Sequence, residues 1–140
     1  MPFHFEFEPV HAILRCRVEG PVTDESLKQY YQELCAHAAR LLPRSGITDF
    51  SAVTSFEVSS ETVRELAHLA PALPDPSRPR VAVAPSGLVF GLVRMFQTVG
   101  GETRPKLHVV RTLEEAYAFL DVQAPRFEPL PGAPPDAPAR

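Results

Sequence analysis

The period of the hydrophobic pattern changes from two to about 3.6 near residue 20, and this change constrains the fold more than any other feature of the chain. From Phe3 to Val18, apolar and polar residues alternate, which is typical of strands with one buried face. Pro9 and Val10 interrupt the alternation, so we predict a β-hairpin that turns at these two residues. The chain therefore opens with an antiparallel pair of strands.

Residues 27–42 carry apolar side chains at every third or fourth position, which predicts an amphipathic helix. The predicted buried stripe consists of Leu27, Tyr30, Tyr31, Leu34, Cys35, Ala38, Leu41 and Leu42. Thr23 suits the N-cap, because its hydroxyl can accept a backbone N–H, and Asp24 and Glu25 suit the positive end of the helix dipole.

Three further pairs of strand and helix follow. The strands are predicted at 47–50, 80–84 and 106–110, and the helices at 60–70, at 86–101 and from Thr112, which stands at capping-box spacing from Glu115. Strands that alternate with helices connect by right-handed crossovers. The order therefore predicts an α/β layer fold with a mostly parallel sheet, an N-terminal antiparallel hairpin and about four helices. We expect one domain over residues 1–122 and a loosely held tail, rich in proline and alanine, over 123–140.

Composition argues against several classes of protein. The formal net charge is -3 and no basic stripe is present, so we expect no nucleic acid partner. No apolar run approaches the roughly 20 residues of a membrane span, and the first ten residues lack a signal pattern, so we expect a cytoplasmic protein. Cys16 and Cys35 fall on predicted buried faces, where free thiols are expected.

The sequence gives no support to a metal site, a cofactor site or catalysis. The five histidines are dispersed, and no pair has metal-ligand spacing. The segment PSGLVFG lacks the lysine of a phosphate-binding loop and the spacing of a dinucleotide turn, so we expect no cofactor. It also lacks the nucleophile-elbow pattern, although a triad assembled from distant residues stays open.

Ligands and partners of a parallel sheet gather at the carboxyl ends of its strands, which are followed here by residues 49–60 and 84–96. The helix that begins at Ser86 is apolar around much of its circumference. Its predicted core stripe is Leu88, Leu92, Met95, Phe96 and Val99, and Val89, Phe90 and Val93 lie outside that stripe. Gly91 indicates a close approach by another backbone or a ligand, and Arg94 marks a polar boundary. Either the helix is buried on most sides, or the additional residues form a face for a partner.

The segment DFSAVTSFEVSSE, residues 49–61, resembles the strand-loop-helix signature of the STAS domain (sulfate transporter and anti-sigma factor antagonist), in which a strand ending Asp-Leu-Ser-x-Val precedes Asp-Ser-Ser-Gly at a helix start. The matching residues are Asp49, Ser51, Val53, Ser59 and Ser60, and the departures are Val58 for the acidic residue and Glu61 for the glycine. The resemblance implies that Ser59 corresponds to the phosphorylatable serine of the family. Its place before a helix predicts an N-cap instead, and both interpretations stay open.

The rest of the chain, up to about residue 122, resembles the SpoIIAA-like branch of small bacterial proteins with a STAS-type fold. The shared features are an Ala-Pro-Ser segment and a Phe-Gly-x-x-Arg-Met helix opening, found here at 84–86 and 90–95. The resemblance implies a STAS-like α/β fold.

Our first hypothesis is a non-catalytic regulatory or scaffold module that binds a protein partner or a second copy of itself. The expected surface joins the loop 55–60 to the helix 86–96 and comprises Phe56, Ser59, Ser60, Ser86, Val89, Phe90, Gly91, Val93 and Arg94. On this hypothesis Phe90→Asp or Val89→Asp weakens association and leaves the monomer folded.

The alternative hypothesis is a carrier of a small apolar or lipid-like ligand, held in a cavity between the sheet and the helices. Arg94 or the helix start at Ser86 would then meet an acidic group of the ligand. An enzyme is the third hypothesis.

Overall fold

The computed structural model describes residues 3–73, 75, 77–101 and 104–130, and within these ranges the chain forms six strands and four helices. The strands are β1 (Phe3–Glu8), β2 (Ile13–Thr23), β3 (Ser45–Glu57), β4 (Arg80–Val83), β5 (Leu107–Val110) and β6 (Glu128–Pro129). The helices are α1 (Asp24–Leu41), α2 (Ser60–Ala67), α3 (Gly87–Gly100) and α4 (Leu113–Leu120). The predicted order of elements is confirmed up to α4, and β6 follows it.

All of the strands belong to one sheet, with the order β5-β4-β3-β2-β1-β6. Strands β2, β3, β4 and β5 are parallel to one another, β1 is antiparallel to β2, and β6 is antiparallel to β1. Strand β1 therefore runs against the other strands. The predicted α/β fold with a mostly parallel sheet and an opening hairpin is confirmed, and the hairpin turns over residues 9–12, as Pro9 and Val10 predict.

Helices cover both faces of the sheet, which gives the domain three layers. Helices α1, α2 and α3 pack on one face, where their apolar side chains share a core with β1, β2 and Ala82 of β4. Helix α4 packs on the other face against Ile13, Ile47, Val81 and Val83. The central strands are apolar on both sides because helices shield both faces of a parallel sheet from water.

Each helix begins at a hydroxyl side chain that accepts a backbone N–H of the first turn. These N-caps are Thr23, Ser59, Ser86 and Thr112 for α1 to α4. The predicted capping box of Thr112 and Glu115 is confirmed. Helix α1 ends at Leu41 and its C-cap is Leu42, which has a left-handed backbone with φ of 51° and leaves its side chain in solvent. The assignment of Leu42 to the buried stripe is therefore wrong.

Strand β3 extends well beyond the predicted strand 47–50 and curls at its end. Residues 46–49 lie between β2 and β4, whereas residues 52–57 pair with β2 alone. The rings of Phe50 and Phe56 meet edge to face with centroids 5.8 Å apart. A flat strand would separate residues six positions apart by about 20 Å, so β3 must turn back toward the domain.

Irregular pairing with β2 produces this curl. The register shifts between Arg17 and Glu19 and again between Gly20 and Pro21. Gly20 has φ of 73°, which glycine adopts without steric strain. Extra residues in one strand of a pair increase the local twist and bend the strand. The predicted loop 55–60 is therefore strand up to residue 57.

Residues 123–130, which the sequence places in the tail, return to the sheet through β6. The guanidinium carbon of Arg15 lies 3.8 Å from the centre of the Phe127 ring, so this segment is also attached by a side chain. Residues 131–140 lie outside the described residues. The division of the chain at residue 122 stays a prediction.

Candidate functional site

Ser59 joins the start of α2 to the start of α1 through Asp24. The Ser59 hydroxyl oxygen accepts the N–H of Thr62 at 3.1 Å, which confirms the N-cap interpretation. The Ser59 N–H donates to Asp24 Oδ1 at 2.8 Å, and the Ser59 hydroxyl lies 3.3 Å from Oδ2. One carboxylate in the first turn of α1 therefore holds the N-terminal ends of two helices together.

The hydrogen bond from the Ser59 backbone lowers the pKa of Asp24 below its usual value. A depressed pKa in the folded state means that the contact stabilises the protein above the unfolded aspartate pKa of about 3.9. This contribution is lost as the pH falls through the lower, folded-state pKa. We expect Asp24→Asn to reduce the acid dependence of the urea unfolding midpoint between neutral pH and pH about 3. Asp121→Asn, at an exposed helix end, is the control, and equal acid dependence of wild type and Asp24→Asn would contradict the assignment.

Helix α3 turns a different face to the core from the one that its sequence predicts. Val89 is 4% exposed, whereas Leu88 is 60% exposed. Val93 and Phe96, which lie four and seven residues after Val89, also face the domain and pack against its core. The expectations that Val89 is available to a partner and that Leu88 is a core residue are therefore wrong, because a rotated α3 buries an equally apolar side.

The other predicted residues of α3 occupy its outer and lateral surface. Phe90 is half-buried, with the Arg111 guanidinium 4.1 Å from the centre of its ring. Gly91 is exposed, and a Cβ there would meet no described atom within 4 Å, so the close approach predicted at Gly91 is absent from the described part of the chain. Arg94 and the N-cap Ser86 are also exposed.

A cavity of about 80 Å³ lies between α3, the sheet and the helices α1 and α2. Its apolar lining comes mainly from Leu27, Phe50, Phe56, Val63, Leu66, Leu92, Val93, Phe96 and Leu107. Helix α3 buries residues near its two ends, Val89 and Gly100, while Leu92, Val93 and Phe96 between them are only half-buried. The middle of α3 therefore borders the cavity, and the curled end of β3 brings Phe56 to the same space.

Besides Tyr31, three polar side chains line this cavity. The hydroxyls of Tyr30 and Thr48 are 2.5 Å apart in a buried hydrogen bond. Burial raises the pKa of Tyr30 far above its usual value, so its hydroxyl keeps its proton at neutral pH. The third is Arg80 of β4, whose Nη1 is buried and has no hydrogen-bond partner among the described residues.

Arg104 connects the helices around the cavity from the loop after α3. It is 4% exposed, and its guanidinium donates to the carbonyl of Ala67 at 2.8 Å and to that of Leu69 at 3.0 Å. It also donates to the Tyr31 hydroxyl of α1 at 2.9 Å. Helix α2 stops at Ala67 rather than at the predicted residue 70, and Arg104 binds carbonyls at this end of the helix.

The structure divides the predicted surface into an inner and an outer part. Phe56 and Val93 both line the cavity. Ser59 contacts α1 through Asp24, while Ser86, Gly91 and Arg94 lie on α3. The sequence predicts that Arg94 meets an acidic group of a ligand, and it gives no such prediction for Arg80. The available signal was the strand RVAVA, in which Arg80 shares a face with the small residues Ala82 and Ala84.

Within the described ranges, no group of His, Cys, Asp and Glu side chains is arranged to hold a metal ion. Both cysteines are free thiols, and burial raises the pKa of Cys16 well above its usual value, which suppresses its reactive thiolate. None of the described helices is both long and apolar enough to cross a bilayer.

The mixed sheet, its helical layers and the serine-capped helix at the carboxyl end of β3 define the α/β fold of SpoIIAA-like, or STAS-type, proteins. The Bacillus cell fate determinant SpoIIAA in its phosphorylated form has this fold, with a TM-score of 0.52 and 19% identity over 83% of this chain and 98% of SpoIIAA. The anti-sigma factor antagonist SpoIIAA in its unphosphorylated form gives a TM-score of 0.54 and 15% identity over 85% and 98% of the two chains. No family model and no curated protein sequence matches this chain. At these identities the similarity establishes the fold alone.

Proposed function

We propose that this protein is a non-catalytic regulatory or scaffold module that binds a protein partner. Its fold is shared with SpoIIAA, which is an anti-sigma factor antagonist, and fold similarity supports a binding role without identifying a partner.

The observation that carries this proposal is the outer face of α3. Leu88 is 60% exposed, and it belongs to a helix that begins at the carboxyl ends of the parallel strands. Gly91 and Arg94 follow it at helical spacing and are exposed, and the absence of a side chain at Gly91 permits close approach by another molecule. The proposed partner surface therefore includes Leu88 and omits Val89 and Val93. We call Leu88, Gly91 and Arg94 the outer α3 face.

Ser59 and Ser60 extend the proposed surface at the start of α2, where both are exposed. A phosphate on Ser59 would add about two negative charges beside Asp24, whose Oδ2 is 3.3 Å from the Ser59 hydroxyl. Repulsion between like charges would break the contact between α1 and α2 and change the surface without unfolding the domain. Ser59 is thus our proposed phospho-acceptor, in addition to being the cap.

A photo-crosslinking amino acid in place of Leu88, introduced in the source cells, tests the proposed partner surface. We expect it to capture a partner that the same amino acid at Leu42 does not capture, since Leu42 is 76% exposed but lies at the far end of α1. The purified partner should then bind wild type at least about 10-fold more tightly than Leu88→Asp, as expected when an apolar contact residue becomes charged.

Equal capture at positions 88 and 42, or equal affinity of wild type and Leu88→Asp, would contradict the partner surface. Capture of a second copy of this chain would identify self-association as the role of the outer α3 face. The intact mass of the protein from the same cells, mapped by peptide, reports whether Ser59 carries a phosphate.

A further inference from the structure

The cavity beneath α3 combines an apolar lining with an arginine whose buried Nη1 has no hydrogen-bond partner among the described residues. Leu92, Val93 and Phe96 line it from α3, and Phe56 lines it from the curled end of β3. These side chains border an open space of about 80 Å³, and the three from α3 are only half-buried. A helix with this much apolar surface normally closes such a gap, because unfilled space loses dispersion contacts.

Arg80 supplies the cation. Its guanidinium makes no hydrogen bond or ion pair with a described residue, and Nη1 is buried. No aspartate or glutamate is among the described residues that line the cavity. Arg80 as a whole is half-buried, so the Nη1 end of the guanidinium is the part removed from water, which is unfavourable unless an opposite charge compensates it. An anion bound at Nη1 would supply this opposite charge.

Tyr30 and Thr48 add a hydrogen-bond donor to the same cavity. Their hydroxyls share one hydrogen bond, whichever of the two donates. Each hydroxyl carries one hydrogen, so the pair keeps a second hydrogen for another acceptor. The described lining thus offers a planar guanidinium and a hydroxyl hydrogen, both of which suit a carboxylate.

Charge and size define the ligand further. One unpaired guanidinium balances one negative charge, which favours a carboxylate over a phosphate with about two charges. The cavity is roughly half as large as the engineered cavity of about 150 Å³ that accepts benzene, so the apolar part of the ligand must be short.

We propose that this cavity binds a small monocarboxylate with a short apolar tail, with Arg80 and the Tyr30–Thr48 hydroxyl pair on the carboxylate and Phe56, Leu92 and Phe96 on the tail. This site differs from the expected carrier site, in which Arg94 meets the acid, because Arg94 is exposed on the outer α3 face. It is also independent of partner binding, since loss of crosslinking at Leu88 would leave the cavity unchanged.

Titration of the ¹⁵N-labelled protein with butanoate, and separately with 1-butanol, tests the proposal by NMR. The two probes have tails of the same length and differ in charge. We expect saturable shifts at the amides of residues that line the cavity, such as Thr48 and Leu92, and a Kd for butanoate about 10-fold or more below that for 1-butanol. Arg80→Met should reduce this ratio to about one, and Arg94→Met should leave it unchanged.

Stability distinguishes a ligand site from a structural arginine. If the role of Arg80 is to bind an anionic ligand, Arg80→Met removes a charge that is unpaired in the free protein. The midpoint of urea unfolding of the free protein should then stay the same or rise. A lower midpoint for Arg80→Met would assign the residue a structural role and overturn the proposal. Equal Kd values of the two probes for wild type, shifts confined to the outer α3 face, or no saturation would overturn it without recourse to any variant.

Discussion

Replacing Arg104 by methionine is expected to lower the free energy of unfolding by about 3 kcal/mol or more, because each hydrogen bond to a buried charged group contributes about 1.5–3 kcal/mol. The guanidinium binds the carbonyls of Ala67 and Leu69 and the hydroxyl of Tyr31, and its carbon lies 4.5 Å from the centre of the Phe96 ring. Methionine keeps the length of the side chain and leaves these buried acceptors without their donor. Equilibrium unfolding in urea measures the loss.

The control for Arg104→Met is Arg94→Met, which removes an exposed arginine from α3. We expect this control to change the free energy of unfolding by no more than about 0.5 kcal/mol. Similar midpoints for the two variants would mean that Arg104 does not hold α1, α2 and α3 together.

Val89→Asp is expected to destabilise the domain by more than about 4 kcal/mol, which for a domain of this size approaches complete unfolding. Val89 is 4% exposed and packs in the core beneath α3, where a carboxylate would be buried without a partner. The adjacent Leu88→Asp changes a side chain that is 60% exposed and should alter stability by no more than about 0.5 kcal/mol. Circular dichroism during urea unfolding compares the two.

This pair of neighbouring substitutions also decides how α3 is oriented. The orientation predicted from the sequence makes Val89→Asp a surface change that leaves the monomer folded and makes Leu88→Asp a core change. The reverse ranking, with Leu88→Asp the more destabilising, would mean that α3 turns its Leu88 side to the sheet.

Most of the architecture could be predicted because the strands and helices have distinct hydrophobic periods. The alternation of Phe3, Phe5 and Phe7 places one face of β1 in the core, and the stripe of α1 fixes the buried face of that helix. Helix α3 lacks this asymmetry, since Leu88 and Val89 are both apolar. Its rotation depends on which side meets α2 and the sheet, and that information is not local.

The residues inside the candidate site could not be predicted from the sequence for a related reason. Arg80 and Arg104 have no local motif, and the groups that surround them come from distant elements. The curl of β3 was missed because its polar residues, such as Ser51, Thr54 and Ser55, are typical of a loop. Irregular pairing with β2, rather than a turn sequence, brings Phe56 over the cavity.

Strand β6 has a consequence for aggregation. Strand β1 carries three phenylalanines, and such a strand with bare backbone groups would invite pairing with a copy of itself. Two residues of β6 cover the middle of β1, and the N–H of Leu130 donates to the carbonyl of Phe5 at 2.9 Å. The next molecule would meet Glu128 and Pro129, a charge and a residue without an N–H, and both discourage the addition of another strand. The short β6 thus prevents a hydrophobic hairpin from templating self-assembly.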